Sequence, residues 1–432
     1  MARKKKPKKA PAPPRKQTPA DTVSLIVALP DGADAAATER RCREKVKAKR
    51  SERLPLVNGF TVEVPRDEVP RFLEMLPPEA GARLDTPIRF PEPDGHVRRA
   101  LEMAGDSRAP YVSRPAGMES VWEKGFNGAG VTVAVIDSGL HPHRDLTDRI
   151  VEFADMTHKR KKPYDPHGHG THVAGVLAGD GQNVKGVAPG ASVVGLRITD
   201  AKEAIQALDW VVENRERLGI RVVNMSLGED PGTSFRADPW AQATQKAIDA
   251  GLVVVVAAGN ECRGNRCPGT ISTPGILPDA ITVGAFDDHG TVELEDDTMY
   301  GRSSRGPTVP DKIMKPDLVA PGVSVIGPRA PGSALERSWP GWGDYLLIDG
   351  TSQATPMVAG MAAILLQANP GLTHQDIKEI LKRSAEPLEG PGQDAQGAGR
   401  MDPERALKLA RQWPKARKAR RSSAREFLLA NA

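Results

Sequence analysis

The chain has 432 residues, of which 39% are hydrophobic and 27% charged, with a net charge of +5. This length supports a large core and more than one domain, and the ordinary composition excludes a fibrous or wholly disordered protein. Residues 1–17 carry eight Lys and Arg and no acid, and residues 411–432 carry seven and one, so the body between them has a net charge of −9. Both basic ends are predicted to be solvated tails, which is favoured over a nucleic-acid or polyanion contact.

No stretch has the length and apolarity of a membrane helix, so no membrane partner is expected. The basic start is followed by proline and more lysine rather than by an apolar segment, and no secretory signal is recognised. The sequence as given therefore predicts a cytoplasmic protein or one exported by another route. The compartment stays open, because a different start would allow secretion.

Residues 18–86 are predicted to form a small α+β module. Ser24–Leu29 indicates a strand, Asp34–Lys49 a highly charged helix, and Leu56–Val64 a second strand with alternating side chains. Pro65–Leu76 indicates a short helix with its apolar residues on one side. Such a unit is either an independent ligand-binding domain or a segment that serves the domain after it.

Residues 87–117 are rich in proline, glycine and charge and predict a linker. Residues 118–410 then alternate between helices and nearly continuous apolar runs, which are typical of parallel strands buried on both faces. The runs are Val131–Asp137, Ser192–Ile198, Arg221–Leu227, Leu252–Ala258 and Ala280–Ala285. We predict a doubly wound, mostly parallel α/β sheet with its ligand site at the carboxyl ends of the strands.

Three polar residues stand at the ends of these predicted elements. Asp137 closes the first apolar strand, His169 begins an Ala- and Gly-rich helix, and Ser352 precedes the helix Thr355–Ala368. Each could be a simple helix cap if it stood alone. Together they supply the carboxylate, imidazole and hydroxyl that nucleophilic acyl transfer requires.

The segment HGHGTH offers a rival chemistry, because His167, His169 and His172 are close enough in sequence to suggest a metal site. A hydrolytic metal would need a further carboxylate ligand and would leave the Ser352 segment unexplained. We therefore expect no metal in the reaction. An esterase or amidase using the same triad remains open, as does a binding protein held on polyanions by the basic tails.

Seven motifs in order carry a resemblance to a known family: VAVIDSG, HGTHVAG, NMSLG, AAGN, SSRGP, KPDLVAPG and GTSQATPMVAG. They lie within Val131–Gly360, and the region resembles the subtilisin-type serine proteases, the subtilases. The resemblance implies a subtilisin-like fold and a serine endopeptidase of broad specificity. The N-terminal module resembles the ferredoxin-like propeptide of that family, an inhibitor and folding helper. We therefore expect a zymogen that cuts itself within residues 87–117.

By position in these motifs, Ser352 would be the nucleophile and His169 the base that later acts as the acid. Asp137 would orient the imidazole and stabilise its charged form. The side-chain amide of Asn260 and the backbone N–H of Ser352 would donate to the oxyanion.

Ser226, Leu227 and Gly228 would pair with the backbone of a polypeptide substrate. The connection after Ser192–Ile198 is shorter than is usual in the family. We therefore expect a more open cleft with weaker use of its distal subsites.

The resemblance implies that the chemistry requires no cofactor. Structural calcium is plausible by family, with Asp145 or the acidic run Glu293–Asp297 as unassigned candidates. Cys262 and Cys267 could close a small disulfide loop, which the sequence leaves open. The expected partners are polypeptide substrates and the chain's own propeptide, with the enzyme acting as a monomer.

Overall fold

The computed structural model describes residues 22–46, 48, 51–88, 90, 115 and 117–414, without 183, 265, 292 and 339–342. The predicted tail at residues 1–17, nearly all of the C-terminal tail and most of the predicted linker lie outside the described residues. Among the helices of the described part, none has both the length and the apolarity needed to cross a membrane.

The N-terminal module folds as β-α-β-β-α-β. Its elements are β1 (Thr22–Ala28), α1 (Ala35–Val46), β2 (Ser51–Leu54), β3 (Gly59–Pro65), α2 (Val69–Glu74) and β4 (Gly81–Leu84). The antiparallel sheet has the order β2-β3-β1-β4. This is the ferredoxin-like arrangement that was expected, although the sequence predicted neither β2 nor β4.

Strand β1 explains how the module is attached to the rest of the chain. Successive side chains of a strand point to opposite faces. Leu25 and Val27 pack into the module's own core with its two helices. Ile26 and Ala28 belong instead to a core that the module shares with the larger domain. The module therefore docks through one sheet face and is not an isolated unit.

The larger domain is a doubly wound α/β fold, as predicted. Its helices are α3 (Met118–Glu123), α4 (His169–Ala178), α5 (Ala201–Leu218), α6 (Pro239–Asp249), α7 (Ala334–Ser338), α8 (Thr351–Ala368), α9 (His374–Ser384), α10 (Gln393–Gln396) and α11 (Pro403–Gln412). Its strands are β5 (Thr132–Asp137), β6 (Ile150–Asp155), β7 (Ser192–Arg197), β8 (Ile220–Met225), β9 (Val253–Ala257), β10 (Ile281–Asp287), β11 (Thr298–Met299), β12 (Leu318–Pro321), β13 (Val325–Pro328) and β14 (Tyr345–Ile348).

The main sheet has the order β11-β10-β9-β8-β5-β7-β6, with β12 also on β10. Its neighbouring strands run parallel except β10 and β11. One face packs with α4 and α8, and the other packs with α5 and α6. The carboxyl ends of β5, β8 and β9 are therefore adjacent, which places the residues that follow them along one edge.

Local sequence chemistry sets the bounds of α5 and α6. The side chain of Asp200 accepts from the backbone N–H of Glu203, and Gly219 takes the left-handed conformation that ends α5. Asp238 caps α6 in the same way, and Pro239 occupies its first position. Such caps are readable in the sequence, which predicts helices at Ala201–Leu218 and Pro239–Ala250. These bounds agree with the structure within one residue.

The start of helix α8 differs from the one predicted around Ser352. It begins at Thr351, four residues before the predicted Thr355, so Ser352 lies within the first helical turn rather than ahead of it. Gly350 precedes the helix with a φ of 145°, a conformation that favours glycine. Pro356 lies inside the helix and falsely indicated a later start.

A buried cluster of charges joins the module to the larger domain. Arg83 on β4 donates to Glu229, and it donates to Asp238 at 2.9 Å. All three side chains are nearly excluded from solvent. Burial raises the pKa of Glu229 to about 7, against the opposing effect of Arg83, and it also raises the pKa of Asp238.

We predict that Arg83→Met destabilises the protein, because it leaves two buried carboxylates without their cation. Removal of one partner from a buried pair typically costs about 3 kcal/mol or more of unfolding free energy. The measurement is urea unfolding of the full chain, with Ser352→Ala in every variant to prevent self-digestion.

The matched control is Arg71→Met in the same module. Arg71 is exposed, and among the described residues it forms an ion pair with Glu68, three residues away. Its loss should therefore change stability by less than about 0.5 kcal/mol. Equal effects of the two substitutions would contradict the prediction.

Candidate active site

Asp137 and His169 meet between the end of β5 and the start of α4. Nδ1 of His169 lies 2.7 Å from Oδ1 of Asp137, and both side chains are fully buried. The backbone N–H of Ser138 also donates to Oδ1 of Asp137 at 2.7 Å. The carboxylate therefore fixes the orientation of the ring and the tautomer with a proton on Nδ1.

Asp165, which the sequence analysis did not single out, holds this arrangement together. Its Oδ1 accepts from the Ser138 hydroxyl and the Gly168 backbone N–H, both at 2.8 Å. Its Oδ2 accepts from the backbone N–H of Thr171 at 2.9 Å and from the hydroxyl of Thr171 at 2.7 Å. Asp165 is buried. The available signal was an acidic residue four positions before His169, at the entrance to a helix.

Ser352 lies at the N-terminus of α8, where backbone N–H groups lack partners within the helix. Its hydroxyl donates to the backbone carbonyl of Ser226 at 2.8 Å. Within the described residues, Nε2 of His169 is buried and has no hydrogen-bond partner. The Ser–His hydrogen bond is thus absent in this state, and such contacts often form only when substrate binds.

Asn260 lies just beyond β9 and beside the start of α8. Its Oδ1 accepts from the backbone N–H of Thr351 at 3.0 Å and from the Thr351 hydroxyl at 3.3 Å. These bonds leave the Nδ2 group as the donor of this side chain. The structure therefore brings Asn260 to the helix terminus that carries Ser352.

Residues 226–228 follow β8 and run between Ser352 and a second segment, residues 272–275. Glu229 and Thr273 exchange two backbone hydrogen bonds of 3.1 and 2.8 Å. A Cβ on Gly228 would lie 2.8 Å from the carbonyl oxygen of Thr273. This close approach places Ser226, Leu227 and Gly228 between the Ser352 hydroxyl and residues 272–275.

The first described residues of the predicted linker lie along the connection that follows β7. The backbone N–H of Ile88 donates to the carbonyl of Thr199 at 2.8 Å, and Pro87 forms an antiparallel bridge with Asp200. Ile88 is only 6% exposed. The short connection after β7 therefore pairs with an extended segment of the chain itself. The expected openness of the cleft stays a prediction.

Phe90 continues this segment toward the catalytic residues. Its ring centroid lies 5.7 Å from that of His169 and 4.9 Å from that of His167. The chain's own segment thus covers His169.

The three histidines of HGHGTH have separate positions. His172 is fully buried, with Nε2 at 3.1 Å from the carbonyl oxygen of Val325, and burial lowers the pKa of His172 to about 3. His167 is half-buried beside Phe90. Among the described residues there is no group of three or more His, Cys, Asp or Glu that could hold a metal ion.

The calcium candidates are already bonded to protein groups. Asp145 accepts from the hydroxyl of Tyr345 at 2.7 Å, and Asp297 pairs with Arg400 at 2.8 Å. These surroundings do not fit a calcium site of several oxygen ligands. Cys262 and Cys267, which the sequence left open, form a disulfide.

Comparison with known proteins agrees with the fold. Residues 128–399 match the profile of the subtilase family, Peptidase_S8. Serine protease AprX of Bacillus subtilis (strain 168) is 40% identical over 300 residues, which cover 65% of this chain and 67% of that protein. Subtilisin Savinase of Lederbergia lenta is 34% identical over 273 residues, 61% of this chain and 87% of that protein.

Among solved structures, this chain is similar to fervidolysin from Fervidobacterium pennivorans, a keratinolytic enzyme related to subtilisin. The TM-score is 0.66 at 23% sequence identity, covering 93% of this chain and 62% of that one. This likeness supports the fold alone.

The chain belongs to the subtilase family. It is a subtilisin-like serine endopeptidase, a hydrolase acting on peptide bonds.

We predict that Asp165→Ala lowers kcat with a smaller effect on KM, because it releases the loop that positions His169. Misplacement of a catalytic group by about 1 Å can cost on the order of 10²-fold. The measurement is steady-state hydrolysis of a peptide substrate, with circular dichroism to check folding. The control is Asp148→Ala, an exposed carboxylate that precedes β6 at the opposite end of the parallel sheet. A folded Asp165→Ala enzyme with unchanged kcat would contradict the proposed positioning.

Proposed function

We propose that Ser352, His169 and Asp137 form the catalytic triad of this peptidase. The observation that carries the proposal is the buried 2.7 Å contact between Nδ1 of His169 and Oδ1 of Asp137. On the other side of the ring, Nε2 has no hydrogen-bond partner among the residues that the structure describes. Nε2 would take the proton from the Ser352 hydroxyl and later give it to the leaving amine. Asp137 would stabilise the charged imidazole that forms in between.

The negative oxygen of the tetrahedral intermediate would lie at the N-terminus of α8. The backbone N–H of Ser352 and the Nδ2 group of Asn260 would donate to it, and the helix terminus would add favourable electrostatics. The substrate would extend between residues 226–228 and Thr199–Asp200. Because backbone pairing reads the main chain, a broad range of polypeptides would bind.

The test is incubation of the purified chain with a denatured protein and a serine-directed phosphonylating inhibitor. We expect covalent label on Ser352, located by mass spectrometry, together with loss of peptide release. Ser352→Ala should take no label and release no peptides. Asn260→Ala keeps the nucleophile and should be slower by about 10²–10³-fold in kcat, the range seen when a subtilisin loses such a donor.

Two outcomes would overturn this assignment. Label on another residue with activity still blocked would exclude Ser352 as the nucleophile. Activity that survives the inhibitor and is lost to a chelator would instead favour metal hydrolysis.

We further propose that the module and its following segment keep the enzyme inactive until the chain cuts itself. The support is the position of Ile88 along the Thr199–Asp200 edge and of the Phe90 ring over His169. A substrate could not occupy the same edge while this segment is there. Self-cleavage would fall after Phe90, within the range predicted from the sequence.

On this proposal, the full-length chain shortens from its N-terminus on incubation, whereas Ser352→Ala stays intact.

Release of the cut module should then increase as the pH rises from 5 to 8. Burial at the interface raises the pKa of Glu229 to about 7 and that of Asp200 to about 6, where Asp85 adds to the effect.

The direction of this pH effect follows from the raised pKa values. A carboxyl group whose pKa is raised by docking favours the docked state of the module while the group is protonated. The contribution of Glu229 is fully present below its ordinary pKa near 4.5 and is lost as the pH rises through about 7. Arg83 and Thr86 face Glu229 from the module, and Asp238 and Asp85 also lie near it. Gel filtration at the two pH values measures the release.

Glu229→Gln is the matched control, because a neutral side chain of the same shape should reduce the pH dependence. Equal release at pH 5 and pH 8 would contradict the role of these carboxyls. Shortening of purified Ser352→Ala would contradict self-cleavage.

A further inference from the structure

The ring of His167 lies next to the ring of the catalytic histidine. Its centroid lies 6.2 Å from that of His169, and the two ring planes are inclined by 65°. The rings therefore form a corner at the entrance to the site. The assigned chemistry uses only one of them.

An aromatic side chain of the chain itself lies in this corner. The Phe90 ring is 4.9 Å from the His167 ring at an interplanar angle of 35°, and it is farther, at 5.7 Å, from the His169 ring. These separations are in the range in which aromatic rings attract one another beyond the effect of burial alone. His167 therefore makes the closer of the two ring contacts.

The backbone of His167 is held from both sides. Its N–H donates to Asp165 at 3.2 Å, and its carbonyl accepts from the N–H of Leu335 at 2.9 Å. Gly168 follows with a φ of 97° and packs against Ser333 and Leu335. The position of the His167 backbone is thus fixed by Asp165, which also positions His169, and by helix α7.

The His167 ring has the character of an apolar aromatic surface. Its Nδ1 is buried and has no hydrogen-bond partner within the part of the chain that the structure describes. Burial, with a smaller effect from His169, lowers the pKa of His167 to about 4. At neutral pH the ring is uncharged and offers its face to a neighbouring side chain.

We propose that His167 is a specificity-determining residue that selects an aromatic side chain at the substrate position beside His169. A substrate that pairs with Thr199 as Ile88 does would place a side chain where Phe90 now lies. This inference rests on the proposed function. It narrows the broad substrate specificity proposed there at one position of the substrate, the one beside His169. It assigns to His167 a role that neither the triad nor the oxyanion donors fill.

The experiment compares peptide substrates on the purified chain after incubation at pH 8 has allowed self-cleavage and release of the module. A single Phe, cyclohexylalanine or Ala is moved through the four positions before the cleaved bond, and mass spectrometry locates the cleavage. Cyclohexylalanine matches the size of Phe without aromaticity. The kcat/KM ratio of Phe to cyclohexylalanine is measured for the unchanged enzyme, His167→Ala and His167→Phe.

We expect a ratio of about 2 to 10 at one position in the unchanged enzyme, the size of an aromatic pair contribution. The ratio should fall to about 1 in His167→Ala and persist in His167→Phe, which keeps an aromatic face. Because both substrates are measured on one preparation, differences in the folded fraction cancel in the ratio.

A ratio near 1 at every position, or a ratio that persists in His167→Ala, would overturn the inference while leaving the peptidase assignment intact. Absence of hydrolysis with every peptide would overturn the proposed function and this inference together.

Discussion

A carboxylate buried away from water must be compensated by a partner, and Asp137 imposes this requirement on the rest of the site. Its partners are the ring of His169 and the N–H of Ser138, so the start of α4 has to touch the end of β5. The approach is so close that a Cβ on Gly170 would lie 2.2 Å from the carbonyl oxygen of Gly139. Only glycine permits this approach at position 170. Asp165 then holds the loop that leads into α4.

The N-terminal module obeys a similar constraint at the other side of the cleft. Arg83 pairs with two carboxylates that are nearly excluded from solvent in the docked chain. One face of β1 contributes to a core that the module shares with the larger domain. Beyond the module, Ile88 lies along Thr199 and the Phe90 ring lies beside that of His169. Covering of the cleft is therefore a consequence of how the module is held.

The sequence predicted those elements whose own residues decide their structure. The apolar strands β5, β7, β8 and β9 and the capped helices α5 and α6 were found because periodicity and caps are local signals. The sequence shows no clear alternation of side chains in the short strands β2, β4 and β12–β14. These segments become strands because they pair with other strands of the fold. The start of α8 was misjudged because Pro356 is typical of a first turn, yet it lies inside this helix.

The sequence by itself determined the sheet, the identity of the candidate Asp, His and Ser, and their places at element ends, because buried runs and exposed ends leave a local pattern. Only the tertiary structure decided which groups surround them. The bond from the Ser138 hydroxyl to Asp165, the bond from the Tyr345 hydroxyl to Asp145, and the position of Phe90 over His167 and His169 are contacts between segments far apart in the chain. Such contacts depend on how the whole backbone packs, and no local pattern encodes them.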